Sequence, residues 1–165
     1  MNNKLGQEIL FFAEKDQKMR RSGKWDPNVD KKNTRELKNI IKTYGWPDID
    51  MVGKKASRCA WLIAQHADHD VRFQEYCLKL LEKKMQSGKI EAKYIPYLTD
   101  RVLVNLGKSQ LYGTQFYLNK FNKLVPRPIK NVRELAQRRR KFKLESFAKY
   151  KNRLQKVQKL FIKNN

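Results

Sequence analysis

The sequence predicts a mainly α-helical fold, a compact bundle of six to seven helices with one short β-hairpin near residues 108–119. Three observations carry this. Apolar residues recur at three- and four-residue spacing through most of the chain. Breakers punctuate those stretches at Ser22-Gly23, Gly45-Trp46-Pro47 and Ser87-Gly88. A hydrophobic fraction of 40%, with 8 Phe, 7 Tyr and 3 Trp, is enough for a core despite the high charge.

Leu5, Ile9, Phe12 and Ala13 share one face of a first helix that ends before Gly23. Asn33-Thr34 is read as the cap of a second, with Leu37, Ile40, Ile41 and Tyr44 inward. A third starts near Met51 and carries Val52, Ala56, Cys59, Ala60 and Ile63. A fourth holds Phe73, Tyr76, Cys77, Leu80 and Leu81, and a fifth holds Ile95, Leu98, Val102 and Leu103. Gly113, between Leu111-Tyr112 and Thr114-Gln115, marks the hairpin or an ordered loop. Pro126 and Pro128 make a stiff connection, and Asn131 is read as the cap of a short sixth helix. The last helix places Phe147, Tyr150, Leu154, Val157 and Phe161 on one stripe.

A chain of 165 residues fits one domain, residues 1–165. Within it, residues 1–125 read as a helical body with the polar motifs, and 126–165 as a basic helical region. The net charge is +22, and residues 120–165 hold 16 Lys or Arg against 2 Glu. Such a field favours RNA, DNA, an anionic membrane or an acidic protein as partner, and says nothing of the fold. Cys59 and Cys77 have no metal or framework spacing and read as buried free thiols of a reducing compartment. No secretory signal and no apolar run near 20 residues is found, so no transmembrane segment is expected. The expected location is the cytoplasm, with translocation into a host cell as an alternative.

Four polar constellations are candidates for chemistry. His66-Ala67-Asp68-His69-Asp70 contains both histidines, and imidazole with carboxylate at helical spacing suits general acid/base work. A solvated helix end capped by Asp68 and Asp70 accounts for the same residues. A metal-dependent phosphohydrolase of the His-Asp type is excluded, because it needs a further histidine well upstream of His69-Asp70. Asp100-Arg101 offers a base beside a guanidinium fork for phosphate or carboxylate, or a plain salt bridge. Gln110, Tyr112, Thr114 and Gln115 gather two amides, a phenol and a hydroxyl that would orient a ligand, or satisfy their own loop. Asp16 and Arg20 form an i,i+4 pair on the first helix. Separately, Arg138, Arg139, Arg140 and Lys141 are candidates for phosphate or partner contacts. No metal-ligand set is found, and the sequence names no cofactor.

Asp16-Gln17 with Arg20, Tyr44-Gly45-Trp46-Pro47, Gln65-His66-Ala67-Asp68, Leu98-Thr99-Asp100-Arg101 and Gln110-Leu111-Tyr112-Gly113-Thr114-Gln115 together resemble a bacterial domain family of unknown function. The resemblance spans nearly the whole chain. One departure is Lys143, where that family usually has Gly. The family has no assigned reaction to carry over, but its polar signature implies a shared pocket, since apolar residues and glycines alone would mark a fold. The expectation is therefore an enzyme, a hydrolase or group transferase acting on a nucleotide-like or modified-protein anion. His66 would be its acid/base, oriented by Asp68 or Asp100, and Asp16, Arg20, Arg101, Gln110, Tyr112, Thr114 and Gln115 would bind substrate. The alternatives are a nucleic-acid-binding module built on the basic C-terminal region, or an effector or inhibitor that binds an acidic protein.

Overall fold

The fold is mainly α-helical with a two-stranded antiparallel hairpin, seen in a computed structural model that describes residues 1–163 and their side chains as far as Lys159. Its contacts divide the chain into two compact units, Met1–Leu98 and Thr99–Asn165. Among the described residues no helix is long and apolar enough to cross a membrane.

The first unit contains α1 (Asn3–Ser22), α2 (Pro27–Tyr44), α3 (Ile49–Gln65), α4 (Val71–Gln86) and the start of α5 (Tyr94–Asn105). Each of the first four begins at a side-chain cap. Asn2, Asp26, Asp48 and Asp70 accept from backbone amides of the first turn that have no partner within the helix. The second helix thus starts at Pro27, seven residues earlier than the Thr34 reading places it. Pro at the first helical position has no amide to leave unpaired, and Asp26 supplies the cap. Asn33 and Thr34 lie buried inside the helix, and the Asn33 amide donates to the Phe12 carbonyl at 3.0 Å.

The core of this unit is made by Ile9, Leu37, Ala60, Ala64, Cys77, Leu81 and Leu98. Trp61 stacks on Tyr94 with ring centroids 4.6 Å apart, and its indole N–H donates to the Tyr94 carbonyl. Gly6 lies against α3. A Cβ there would meet the Val52 carbonyl oxygen at 3.2 Å, so the missing side chain is what lets the helices approach. Gly6 meets α3 near its start and Asp16 meets His66 at its end, so α1 and α3 run side by side in the same sense. Tyr44 and Tyr76, read as inward, are about half exposed.

The second unit contains the end of α5, β1 (Phe116–Leu118), β2 (Leu124–Pro126), a 3-10 turn (Val132–Glu134), α6 (Leu135–Lys141) and α7 (Phe147–Lys163). The hairpin pairs Phe116 with Pro126 and Leu118 with Leu124, so only its first strand falls in the expected region. The reason lies outside the segment: Leu111, Tyr112 and Thr114 turn their amides to the buried Asp100 carboxylate and are not free to form a ladder. Asn131 does not cap a helix. Its backbone is left-handed, φ 52°, and its side chain donates to Glu134. Lys143 is left-handed as well, φ 53°. Its amide donates to the Arg140 carbonyl and the Leu144 amide to the Arg139 carbonyl, a paired helix-end arrangement that favours Gly at this position. On α7, Tyr150 is buried while Val157 is exposed, and Phe161 lies outside the residues whose side chains are described.

Candidate active site

Four charged or titratable side chains from three segments meet in the first unit. His66 ends α3, where its amide closes the last turn onto Leu62 and Ile63. Asp16 comes from the penultimate turn of α1, Arg20 from the next turn, and Asp30 from the first turn of α2. The His66 Nδ1 lies 3.0 Å from both oxygens of Asp16. The Arg20 Nε donates to Asp16 at 2.8 Å, and its Nη2 grips both oxygens of Asp30 at 2.9 and 3.0 Å. The Gln17 amide donates to the second Asp16 oxygen at 2.7 Å. Asp16 and Asp30 are almost fully buried at 2% and 5% exposure, whereas His66 keeps 16% and Arg20 26%.

The hydrogen-bond network assigns the tautomer. The Asp16 oxygens at 3.0 Å favour a proton on Nδ1, because lone pairs would otherwise face each other; the Arg20 Nε–H also reaches Nδ1, at 3.1 Å, but has the nearer Asp16 oxygen at 2.8 Å as its acceptor. Nδ1 is then the donor, and Nε2 is the ring nitrogen left for an outside partner. Among the described residues no hydrogen bond reaches Nε2. Burial pushes the Asp16 carboxyl upward, but hydrogen bonding and charge from His66, then Gln17 and Arg20, outweigh it and hold the group at about 2. Burial raises Asp30 above its ordinary value, with the nearby Asp16 charge adding to the rise and Arg20 opposing it.

Asp16, Asp30 and His66 place one ligand atom each within 4.8 Å of one another, a set that resembles a metal site. The Arg20 guanidinium already occupies the position of the cation, bonded to both carboxylates, so a metal ion would have to displace it.

A cleft of about 450 Å³ opens beside the cluster along α1 and α3. Gln17, which touches Asp16, lines it, as does Leu62, one helical turn before His66. Its cations are Arg21, Lys55 and Arg58, none with an acidic partner among the described residues, and Glu14 is its one acid. Cys59 also faces it, and burial raises its thiol above the ordinary value in spite of Arg58 and Lys55, so it stands as a neutral thiol. Neither Cys59 nor the buried Cys77 forms a disulfide.

The remaining sequence candidates are placed differently. Asp68 is exposed and accepts from the Gln74 amide at 3.3 Å; the carboxylate at the imidazole is Asp16. In the second unit the fully buried Asp100 accepts from the amides of Leu111, Tyr112 and Thr114 and from the Thr114 hydroxyl, at 2.7–2.9 Å for the shortest contact of each. Burial raises this carboxyl above its ordinary value, and the four donors oppose the rise while they fix the loop to it. Gln110 donates to the carbonyls of Gln115 and Arg127 and accepts from the Gln115 amide. Arg101 donates to the Gln115 side chain, and Gln115 to the Thr114 hydroxyl. Tyr112 meets Phe142 edge-on at 5.4 Å. Arg138 donates to the Leu111 and Lys130 carbonyls. Arg139 is buried, bonded to the carbonyls of Tyr112 and Glu145, with Phe147 and Tyr150 beside its guanidinium. Of the basic run only Arg140 and Lys141 face solvent.

Asp30 was not legible in the sequence. An acid in the first turn after Pro27 looks like an ordinary complement to the helix dipole, and nothing local marks its role.

What fold and cluster define is a mainly helical protein with a carboxylate-anchored histidine beside a cationic cleft. The chain belongs to a family of unknown function, DUF6624, whose model matches residues 3–163. No curated protein and no solved structure matches it.

Proposed function

We propose that the protein is a hydrolase or group transferase that acts on an anionic substrate, with His66 as general acid/base and Asp16 as its positioning residue. The single observation that carries this reading is the His66 ring, fixed through Nδ1 by a buried carboxylate and left with an unpartnered Nε2. A carboxylate in that position holds the ring in one tautomer and stabilises the imidazolium formed when Nε2 takes a proton. Arg20 offsets the repulsion between the two buried carboxylates. The substrate's charged group would lie in the cleft against Arg21, Lys55 and Arg58, and guanidinium forks there suit a phosphate or carboxylate.

The test uses thermal shift with inorganic phosphate, pyrophosphate, mono- and dinucleotides and sugar phosphates, followed by turnover of chromogenic phosphate and carboxylate esters. Ligand binding to the native state raises the midpoint by mass action. The expected result is one anion class that shifts wild type, loses its shift in Arg58→Gln, and is turned over roughly 10²–10⁴-fold more slowly by folded His66→Gln. Turnover equal in wild type and His66→Gln would overturn the assignment of His66.

A further inference from the structure

Every acid of the second unit is committed. Asp100 holds the 111–114 loop, Glu134 pairs with Arg138, and Glu145 pairs with Arg153. Against these three acids the unit carries 18 Lys or Arg. Among the described residues, the field they make is joined by exposed aromatic surface at the hairpin. Phe121 at its tip is 68% exposed and Tyr117 on β1 is 39% exposed, with Leu118 beside them. The Arg127 guanidinium lies 4.6 Å from the Tyr117 ring centre and the Lys120 ammonium 5.1 Å from that of Phe121.

The tip is built, and its rings are carried on a fixed frame. The Asn119 side chain accepts from the amides of Phe121 and Lys123, and Asn122 takes the left-handed conformation that the turn needs. Gln158 of α7 donates to the Asn122 carbonyl and accepts from the Leu124 amide, while Gln155 donates to the Leu124 carbonyl. The hairpin is therefore fastened to α7, whose exposed residues include Lys149, Asn152, Lys156 and Lys159. None of those lysines has an acidic partner among the described residues.

We propose that the hairpin tip and the outer face of α7 form a binding surface for single-stranded nucleic acid. Bases stack on Tyr117 and Phe121, and phosphates follow Lys120, Lys123 and the lysines of α7. Charge complementarity selects a polyanion. The aromatic faces select one whose bases are free to leave their own stack, since a duplex hides them. A membrane surface fits less well, because a helix lying in an interface presents a continuous apolar face, and α7 turns Tyr150 inward and surrounds the exposed Val157 with Lys149, Asn152 and Lys156.

The test is fluorescence anisotropy with a labelled 15-mer oligo(U) and oligo(dT), the matching duplex, and sedimentation with phosphatidylserine vesicles, each from 50 to 300 mM salt. Wild type is expected to bind the single strands more tightly than the duplex, with affinity that falls as salt rises. Tyr117→Ala with Phe121→Ala should weaken single-strand binding at least tenfold and leave the salt slope in place, whereas Lys149→Gln with Lys156→Gln should flatten the slope. Tyr117→Trp should keep the affinity. Circular dichroism melts confirm that each variant is folded. Duplex binding equal to single-strand binding, unchanged affinity in the aromatic double variant, or association with vesicles alone would overturn the proposal.

Discussion

Replacing Asp16 with Asn tests the centre of the proposed site with almost no change in shape. The carboxylate accepts from His66, Arg20 and Gln17. An amide keeps one acceptor oxygen and turns an NH₂ toward one of those donors. The native carboxyl is held at about 2 against an ordinary 3.8, a difference that corresponds to about 2 kcal/mol at neutral pH. Asp16 is 2% exposed, so solvent screening removes little of this. The sign follows from the direction: a depressed carboxyl stabilises the fold above its unfolded value near 3.8, and that stability fades as pH falls toward 2. Asp30, raised by burial, works in the opposite sense and reduces the net slope. In urea denaturation at pH 7, Asp16→Asn should lose about 2 kcal/mol, roughly 4–8 °C in Tm for a chain of this size. The gap between wild type and variant should hold from pH 7 to 5 and narrow between 4 and 3. Nitrogen-15 NMR is simplified by there being only two histidines, and it should show His66 protonated on Nδ1 in wild type, with that preference lost in the variant. A gap below about 0.5 kcal/mol, a gap that ignores pH, or an Nε2–H tautomer in wild type would refute the reasoning.

Other residues make sharper statements about the fold. Lys143→Gly should stabilise the protein by about 1 kcal/mol, because a left-handed residue after α6 carries a Cβ penalty that Gly lacks; a urea midpoint shift upward checks it. Arg139→Lys should cost about 2 kcal/mol, since one ammonium cannot reach both the Tyr112 and Glu145 carbonyls in the fixed geometry of the guanidinium, and this appears as a lower Tm. Asp100→Asn should cost about 3 kcal/mol and accelerate amide hydrogen exchange at Leu111, Tyr112 and Thr114, the three N–H groups that lose a charged acceptor.

Helical content was legible because it rests on local chemistry. The apolar periodicity of α1 and α3, the Gly45-Trp46-Pro47 stop and the Gly23 end are decided within a few residues of each other. The start of α2 was misplaced because two cap signals compete there, and the pair Asp26-Pro27 wins over Asn33-Thr34 once Asn33 finds the Phe12 carbonyl, 21 positions away. The hairpin was shifted for a similar reason. Gly113 looks like a turn, but Asp100 claims the neighbouring amides, and that pairing depends on a distance of 11–14 residues. For the site, His66, Asp16 and Arg20 were all named, but the wrong carboxylate was set beside the imidazole. His66 and Asp16 are 50 residues apart, and only the parallel packing of α1 on α3 joins them. Asp30 carries no local mark at all.

The polar residues named from the sequence separate into two physical kinds. Asp100, Gln110, Arg138 and Arg139 direct their polar atoms mainly at backbone amides and carbonyls. A backbone group cannot turn over, so such contacts fix a loop, and breaking them is felt as lost stability. Asp16, Arg20, Asp30 and His66 contact one another through side chains, and among the described residues no hydrogen bond reaches the ring nitrogen left over. The hydrogen bond at Nδ1 satisfies Asp16 and serves the fold, whereas Nε2 takes no part in it and is the atom open to chemistry. The two kinds should dissociate in a paired measurement. Asp100→Asn should lower the urea midpoint while the surviving folded fraction turns over substrate at close to the wild-type rate. His66→Gln should do the reverse, melting within about 1 kcal/mol of wild type while turnover falls roughly 10²-fold or more. If Asp100→Asn instead removes turnover from a fully folded protein, the buried carboxylate of the second unit belongs to the reaction and the division between the two kinds fails.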